Sequence, residues 1–306
     1  MLNSGRLKVF REVVARESFS QAADALSFSQ SAVSQAITTL EGEVGTQLLE
    51  RTRRGARPTA AGAALAGHAA GILAQMETAE AEIAAIAAGR GGLLRTASFP
   101  TAAATLMARA IAGFRASHPG VDLTLAEGES EEIAPRLRAG ELDLVLLFEF
   151  PGIGERLGTG MRRFELLDDP LHLVLGEGHP LAERENLRLR DLSEEPWVQT
   201  SAESASAKHV VRSCHAAGFE PRVSFESDDY ETIQGLVAAG LGVALIPNLA
   251  LSGIRPDLRI RALHPQSPVR RVFAATPRGA TATPAVATML SILREAARPA
   301  QDPSGA

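Results

Sequence analysis

The sequence predicts an α/β protein with a head of all-α type, one long linker helix and a body made of two α/β lobes. Three observations predict this order. Two short helical patterns surround a tight turn between residues 16 and 45, an alanine-rich heptad pattern follows residue 59, and strand and helix patterns alternate beyond residue 92. A chain of 306 residues is long enough for two or three such domains.

Two N-caps define the helical patterns of the head. Ser18, with Gln21 three residues later, fits a capping box and predicts a helix over residues 19–26. Ser29 is a favourable N-cap for a second helix over residues 30–44. Two short helices joined by a tight turn are typical of a helix-turn-helix.

The outer face of the second helix carries short, uncharged polar side chains, whereas an ordinary solvated face carries Lys and Glu. Hydroxyl and amide groups can donate and accept hydrogen bonds at base edges in the major groove of DNA. The predicted DNA-binding residues of this helix and its cap are Ser29, Gln30, Ser31, Ser34, Gln35 and Thr38. The alternative is a helical hairpin whose polar face meets only water.

A basic segment follows the second helix. Four arginines lie within residues 51–57, between two short extended pieces. This pattern predicts a β-hairpin wing in which Arg51, Arg53 and Arg54 contact phosphates or the minor groove. The charge distribution agrees, because residues 1–60 carry +2 and the remainder −7, within a net charge of −5. We therefore expect DNA contacts at one end of the molecule.

Residues 6–62 resemble the winged helix-turn-helix of LysR-type transcriptional regulators. The matching residues are Phe19, Ala22, Ala23, Leu26, Ser29, Gln30, Ala32, Val33, Ser34, Leu40, Glu41, Leu48, Glu50, Arg51, Arg54, Thr59, Ala61 and Gly62. The sequence departs from the commonest family pattern at Ser31, Leu49 and Pro58. These departures bear on the shape of the wing and on the entry of the helix.

The stretches 118–147, 168–182 and 236–247 resemble the effector-binding domain of the same family, which has a fold like that of periplasmic binding proteins. One departure is Thr96-Ala97, where a glycine is common. The resemblance implies a double-stranded DNA operator with an interrupted palindrome, a homodimer or homotetramer, a small-molecule co-inducer and contact with the transcription machinery.

The linker helix is predicted from Thr59, a candidate N-cap, to about residue 88. Apolar residues recur at heptad spacing along it, as in a coiled-coil seam. The predicted dimerisation residues are Leu65, Ile72, Met76, Ala79, Ile83 and Ile86. The alternative is a helix that docks on its own domain.

The glycine-rich segment 89–92 predicts the boundary between linker and body. The predicted strands are 93–98, 121–127, 142–148, 171–175, 197–199, 222–225, 243–247 and 272–275, and the predicted helices are 101–117, 133–139, 204–217, 230–239 and 284–297. The expected domains are 1–58, 59–89 and 90–300, the last with lobes at about 92–165 plus 270–300 and at 166–269, before a disordered tail at 301–306.

Two α/β lobes crossed more than once by the chain predict a hinged cleft, with ligands outside the carboxyl ends of the strands. The predicted effector-binding residues are Ser98, Phe99, Pro100, Thr101, Phe148, Thr200, Ser201, Ser204 and Asp228. Hydroxyl groups at two helix N-termini suit a carboxylate or another small anion. The alternative is that they only cap their own helices. Asp168 and Asp169, ahead of a predicted strand, are expected to be turn residues.

The sequence gives no sign of catalysis. It has no dinucleotide-binding loop, P-loop or G-x-S-x-G motif, and its 7 histidines show no metal-ligand spacing. We predict no catalytic residues, no metal site and no cofactor. The single cysteine, Cys214, is expected to be a small buried residue in a reducing compartment.

The sequence lacks an N-terminal apolar segment and a membrane-length apolar run, which predicts a cytoplasmic protein without a membrane partner. Two alternatives to a ligand-controlled regulator stay open. One is a cytosolic small-molecule-binding protein or enzyme without DNA binding. The other is a DNA-binding regulator that never responds to a ligand.

Overall fold

Three helices and a short hairpin form the N-terminal head. The computed structural model describes residues 2–52, 55–87, 92–151, 160–278 and 283–298. The head consists of α1 (Ser4–Arg16), α2 (Phe19–Leu26), α3 (Gln30–Val44), β1 (Leu49–Thr52) and β2 (Gly55–Pro58). Each helix has apolar residues three or four positions apart on one face. These faces meet in a common core, in which Phe10 of α1, Ala22 of α2 and Leu40 of α3 are buried. This packing leaves the opposite helix faces at the surface.

Hydroxyl groups fix the starts of the helices. The side-chain oxygens of Ser18, Ser29 and Thr59 each accept a hydrogen bond from the backbone N–H three residues later, at 3.3, 3.2 and 3.0 Å. Each satisfies a donor that the first helical turn leaves without a partner. The three predicted N-caps are therefore confirmed.

The wing is held against the end of α1. The N–H of Ala56 donates to the carbonyl oxygen of Glu17 at 2.8 Å. Gly55, with φ +143°, makes this approach possible, because a Cβ atom there would lie 2.0 Å from the same oxygen. The position of the hairpin is thus tied to the helical core of the head.

The linker helix α4 (Ala60–Ala87) begins on the head. Its buried residues Ala69 and Leu73 pack with Leu7 of α1. The predicted boundary at 89–92 lies largely outside the described residues, as does the tail at 301–306. No helix among the described residues is long and apolar enough to cross a membrane.

The strands of the body are β3 (Leu93–Ser98), β4 (Asp122–Glu127), β5 (Leu144–Glu149), β6 (Met161–Gly176), β7 (Pro196–Gln199), β8 (Arg222–Glu226), β9 (Ala244–Pro247), β10 (Leu258–Arg261) and β11 (Val269–Pro277). Seven of them form one sheet with the order β10-β6-β11-β5-β3-β4, in which β9 also pairs with β6. Strands β7 and β8 form a separate parallel pair, which a parallel bridge from Trp197 to Val243 joins to the segment before β9.

Helices cover these strands. They are α5 (Pro100–Ala102), which continues through the π-helical turn Ala103–Met107 into α6 (Ala108–Ser117), then α7 (Ser130–Arg138), α8 (Ala205–Ala216), α9 (Tyr230–Ala238) and α10 (Pro284–Ala296), with 3₁₀ helices at Leu189–Leu192 and Asn248–Leu251. The parallel run β3, β4 and β5 with its helices confirms the predicted βαβαβ unit. We call the unit around these strands lobe I and the unit around β7, β8 and β9 lobe II.

Strand β6 passes through both lobes. Its residues from Met161 to Pro170 pair with β11, whereas those from Leu171 onward pair with β9 and β10. The chain therefore changes lobe a few residues beyond the predicted boundary. The prediction of Asp168 and Asp169 as turn residues is wrong, because both lie within β6.

The strand predictions were incomplete for β6, β10 and β11. The first half of β6 mixes charged with apolar residues and is mostly half-buried or exposed, so it lacks the apolar run that marked residues 171–175. Strand β10 has only four residues and alternates apolar with basic ones, which is a weak signal. Strand β11 extends on both sides of the predicted segment 272–275.

Candidate functional site

Helix α3 presents a polar face opposite its buried stripe of Val33, Ile37 and Leu40. Of the predicted DNA-binding residues on this helix, Ser34 is half-buried and the rest are exposed, namely Gln30, Ser31, Gln35 and Thr38. The capping Ser29 is exposed as well and shares a hydrogen bond of 2.9 Å with the hydroxyl of Ser31. The structure therefore brings the predicted residues together on one surface.

A recess of about 500 Å³ separates α3 from the wing. Ser34 and Thr38 lie on its α3 side, and Glu50 lies on the side of β1. The Thr38 hydroxyl donates to the backbone oxygen of Ser34 at 3.0 Å, which leaves the Thr38 oxygen available as an acceptor. The Glu41 carboxylate accepts hydrogen bonds from two backbone N–H groups, at 2.8 and 3.1 Å, where β1 begins. Glu41 thereby fixes the wing relative to α3.

The predicted wing arginines are only partly described. Arg51 lies in β1 opposite Ala56 of β2, and its side chain is outside the described set. Arg53 and Arg54 lie outside the described residues. Arg57, which belongs to the same basic segment but was not among the predicted contacts, is exposed on β2 opposite Glu50.

Helix α4 carries apolar side chains on its surface. Ile72, Met76 and Ile83 are 37%, 41% and 68% exposed. Ala79 is exposed too, and the side chain of Ile86 lies outside the described set. Leu65 differs, because it is half-buried against the core of its own head. The first residue of the predicted seam thus makes contacts within its own chain, and the exposed stripe begins at Ile72.

A cleft of about 520 Å³ lies between the two lobes. The lining contains every predicted effector-binding residue except Ser98, namely Phe99, Pro100, Thr101, Phe148, Thr200, Ser201, Ser204 and Asp228. The prediction of Ser98 in the lining is wrong. Its side chain is fully buried at the end of β3, where the hydroxyl donates to the carbonyl oxygen of Phe99 at 3.1 Å.

A buried ion pair that sequence reasoning missed lies beside this cleft. The guanidinium of Arg270 is 4.9 Å from the ring centres of both Phe99 and Phe148. Its Nε donates to Asp169 Oδ2 at 2.8 Å and its Nη2 to Thr101 Oγ1 at 2.6 Å. The two charged side chains are only 2% and 0% exposed. Each is therefore satisfied by its partner and not by water.

This ion pair also lies where β6 passes from lobe I into lobe II. Arg270 on β11 and Asp169 on β6 are direct neighbours in the antiparallel register. The second carboxylate oxygen of Asp169 accepts the backbone N–H of Leu249, in the 3₁₀ helix after β9, at 3.1 Å. A continuous set of hydrogen bonds thus runs from Thr101 in lobe I to Leu249 in lobe II.

The hydroxyl groups of Thr200 and Ser204 in lobe II line the cleft, and that of Ser204 also caps α8. Ser204 caps α8 by accepting the N–H of Ala207 at 3.0 Å, and its oxygen lies 2.7 Å from that of Thr200. The N–H of Ser201 donates to Asp228 at 3.0 Å. The self-capping alternative thus describes Ser204, which nevertheless lines the cleft.

The lining is more acidic than the predicted residues suggest. The missed residues are Glu129, Glu131, Glu132, Glu203, Ala205, Ser206, Lys208, Tyr230 and Arg270. Glu129 retains contact with solvent, yet the surrounding protein raises its pKa, chiefly by burial and then through the charge of Glu131. Burial also raises the pKa of Tyr230, whose hydroxyl is hydrogen-bonded to Ser206. The signal for the acids was present at the start of α7, where Glu129 is the N-cap and Glu131 and Glu132 lie in the first turn.

Comparison with known proteins identifies the family. Residues 5–63 match the family model for the bacterial regulatory helix-turn-helix protein, lysR family, and residues 87–298 match that for the LysR substrate binding domain. The chain belongs to the LysR family of transcriptional regulators. This membership agrees with the resemblance seen in the sequence and confirms the predicted fold class.

Relatives of this LysR-type regulator match it along most of their length. The probable HTH-type transcriptional regulator LrrA of Synechococcus elongatus is 34% identical over 298 residues, which is 97% of this chain and 98% of the relative. The HTH-type transcriptional regulator AlsR of Bacillus subtilis is 29% identical and covers 84% of each chain. The crystal structure of full-length CbnR complexed with its target DNA has a TM-score of 0.66 at 22% identity, covering 96% of this chain and 100% of that one.

The relatives are transcriptional regulators and not enzymes. The alternative of an enzyme or binding protein without DNA binding is therefore wrong for this LysR-type regulator. The expectation that Cys214 is a buried residue is confirmed, because it is fully buried on α8, and burial raises its pKa to about 12. Among the described residues, no group of three or more His, Cys, Asp or Glu side chains could hold a metal ion.

Proposed function

We propose that this LysR-type regulator reads its operator with the outer face of α3 and contacts the flanking backbone with the wing. The observation that carries the proposal is the exposed, uncharged polar face on a helix whose other side is buried. Gln30, Ser31, Gln35 and Thr38 supply donors and acceptors for base edges, with Ser29 and Ser34 beside them. The arginines of the wing, Arg51, Arg53 and Arg54, supply charge for phosphates or the minor groove.

The regulator acts as a dimer or tetramer in this proposal. The exposed stripe of Ile72, Met76, Ala79 and Ile83 on α4 supports pairing with a second copy, since such a stripe is buried when two helices pair. Two heads related by twofold symmetry would recognise an interrupted palindrome. Contact with the transcription machinery follows from the proposed regulation.

The cleft is the proposed site of a small co-inducer. Residues of both lobes line it, and the hydroxyl-bearing residues Thr101 and Ser201 lie near helix N-termini that suit a carboxylate. A ligand that binds one arrangement of the lobes better than another shifts the population toward that arrangement. Transmitted through α4, this population shift would change how the paired heads contact DNA and how strongly they bend it.

A DNase footprint of the full-length protein on the intergenic DNA beside its own gene, with excess competitor DNA, tests the proposal. We expect protection of an interrupted palindrome. Because non-specific binding is electrostatic, the competitor removes protection that depends on charge alone. Absence of any protected site would contradict operator recognition at this locus by α3 and the wing.

A further inference from the structure

One large apolar side chain lies on the surface of the head beside α3. Phe28, in the turn between α2 and α3, is 54% exposed. A single exposed apolar residue is ordinary on a protein surface. Its meaning therefore depends on what holds it in place and on what lies next to it.

The backbone on both sides of Phe28 is fixed by the two helices. Ser27 ends α2 in the left-handed region, with φ 56°, and the N–H of Phe28 donates to the carbonyl oxygen of Ala23 at 2.9 Å. Ser29 follows at once as the N-cap of α3. Phe28 is thus exposed in a hydrogen-bonded turn of defined shape and not in a long loop.

Local packing does not cover the ring of Phe28. A residue two positions beyond a helix can pack on the last turn of that helix, here at Ala23, and a residue before an N-cap can pack on the fourth residue of the next helix, here Val33. Ala23 is small, and both Ala23 and Val33 are already buried in the core of the head. Neither of them buries the ring, which remains apolar surface for a partner.

The place of Phe28 identifies DNA as that partner. The head matches the family model of a regulatory helix-turn-helix, and in such domains the N-terminal residues of the second helix contact base edges in the major groove. Phe28 lies at that end of α3, where Ser29, Gln30 and Ser31 are exposed as well and supply polar groups. The apolar group that base edges present in the major groove is the C5-methyl of thymine, which Phe side chains contact.

We propose that Phe28 is a further specificity-determining residue, which recognises a thymine in each half-site of the operator by packing its ring against the C5-methyl group. The inference rests on the proposed function, in which the outer face of α3 reads the operator. The contact removes apolar surface of both groups from water, and the other three bases carry no methyl group there. Phe28 thus adds apolar recognition of thymine to the hydrogen bonds of its polar neighbours.

Binding titrations of the full-length protein on the footprinted operator test this inference. The probes are operator duplexes in which one thymine at a time is replaced by deoxyuridine, a change that removes only the C5-methyl group. The variants are Phe28→Ala and Phe28→Leu, and thermal unfolding checks that they fold as the wild type does. Phe225→Ala is the control, because Phe225 is another exposed phenylalanine, on β8 of lobe II.

We expect deoxyuridine at one thymine of a half-site to weaken binding of the wild type and of the control about fourfold, the effect of one buried methyl group. Phe28→Ala should bind the unmodified operator about tenfold more weakly and lose this response to deoxyuridine. Phe28→Leu keeps an apolar side chain and should keep part of the response.

The inference is overturned if no deoxyuridine weakens binding of the wild type, or if Phe28→Ala responds to deoxyuridine as the wild type does. Equal losses of Phe28→Ala on operator and scrambled DNA would also overturn it, because the ring would then contact sugars or the backbone. All three results leave reading of the operator by the polar face of α3 in place. Absence of any protected operator is instead the failure of the proposed function, and the inference fails with it.

Discussion

At the scale of single residues, the ion pair of Arg270 and Asp169 is the feature that sequence reasoning could not supply. Asp169 follows another aspartate and precedes a proline, a composition typical of turns. Arg270 precedes Arg271, and a pair of arginines indicates an exposed segment. Only the register of β6 and β11 makes these residues neighbours, and that register joins positions about a hundred residues apart.

Removing one partner of this ion pair should destabilise the body strongly. Arg270→Met leaves the Asp169 carboxylate buried without its cation, which costs about 3 to 5 kcal/mol of unfolding free energy. Thermal and denaturant unfolding of the full chain measure the loss. The matched control is Arg255→Met, since Arg255 pairs with Asp257 on the surface and its loss should leave stability near wild type. Equal effects of the two substitutions would contradict the role assigned to Arg270.

A second residue-scale prediction concerns His209, which stacks on Phe150 with the ring centres 4.2 Å apart. Burial, and to a smaller extent the charge of Arg212, lower the pKa of His209 to about 4. The unfolded chain therefore binds a proton at higher pH than the folded chain, so stability falls as pH decreases from the unfolded pKa toward 4. Between about pH 7 and about pH 5 the loss should be on the order of 1 to 2 kcal/mol.

The variant His209→Phe should flatten this pH dependence, because it keeps a ring against Phe150 and removes the titrating group. His215→Phe is the control, since His215 is an exposed histidine of the same helix. Unfolding curves across this pH range provide the measurement. An unchanged slope in the His209 variant would show that another group titrates.

At the scale of elements, the sequence predicted most helices and strands because their caps and periodicity are local. Ser18, Ser29 and Thr59 marked helix starts that the structure confirms. The failures occurred where a tertiary partner decides the outcome. The first half of β6 is a strand because β11 pairs with it, and Leu65 of α4 is buried because the head lies beside it. The cleft residues were predictable from strand ends, whereas the glutamates of the lining were overlooked.

The recognition helix and the wing should respond differently to substitution. Ser34→Ala should cost on the order of 1 kcal/mol on the operator and blur base preference, because it removes a group beside the base edges. Arg54→Ala should weaken binding similarly on all sequences and flatten its dependence on salt. Binding titrations on operator and scrambled DNA at several salt concentrations separate the two effects. Equal losses on every sequence for both variants would contradict base reading by Ser34.

The exposed stripe of α4 should hold two copies together. Ile83→Lys places a charge on that stripe and should shift the protein toward smaller assemblies in sedimentation velocity. Glu80→Lys is the control, because it introduces the same side chain on the same helix outside the heptad seam. An unchanged sedimentation coefficient for Ile83→Lys would contradict pairing through this surface.

At the scale of the whole molecule, three parts follow one another along the chain. The head carries the polar face of α3, α4 carries the surface for a second copy, and the lobes carry a cleft crossed by a buried ion pair. Strands β6 and β11 connect the lobes. A change in the angle between the lobes would therefore bend these two strands. In the proposed function, the arrangement of the lobes determines how the heads bind DNA.

Cross-linking across the cleft tests that claim without a ligand. The chain is suited to it, because its single cysteine, Cys214, is buried and its raised pKa leaves little reactive thiolate. The double variant Glu129→Cys with Asp228→Cys is joined by thiol-specific cross-linkers of graded length and then footprinted on the operator. We expect a short cross-link to change the length or the cleavage pattern of the protected region, and we expect no such change for either single variant treated in the same way. Identical footprints for cross-linked and free protein would contradict control of DNA binding by the cleft.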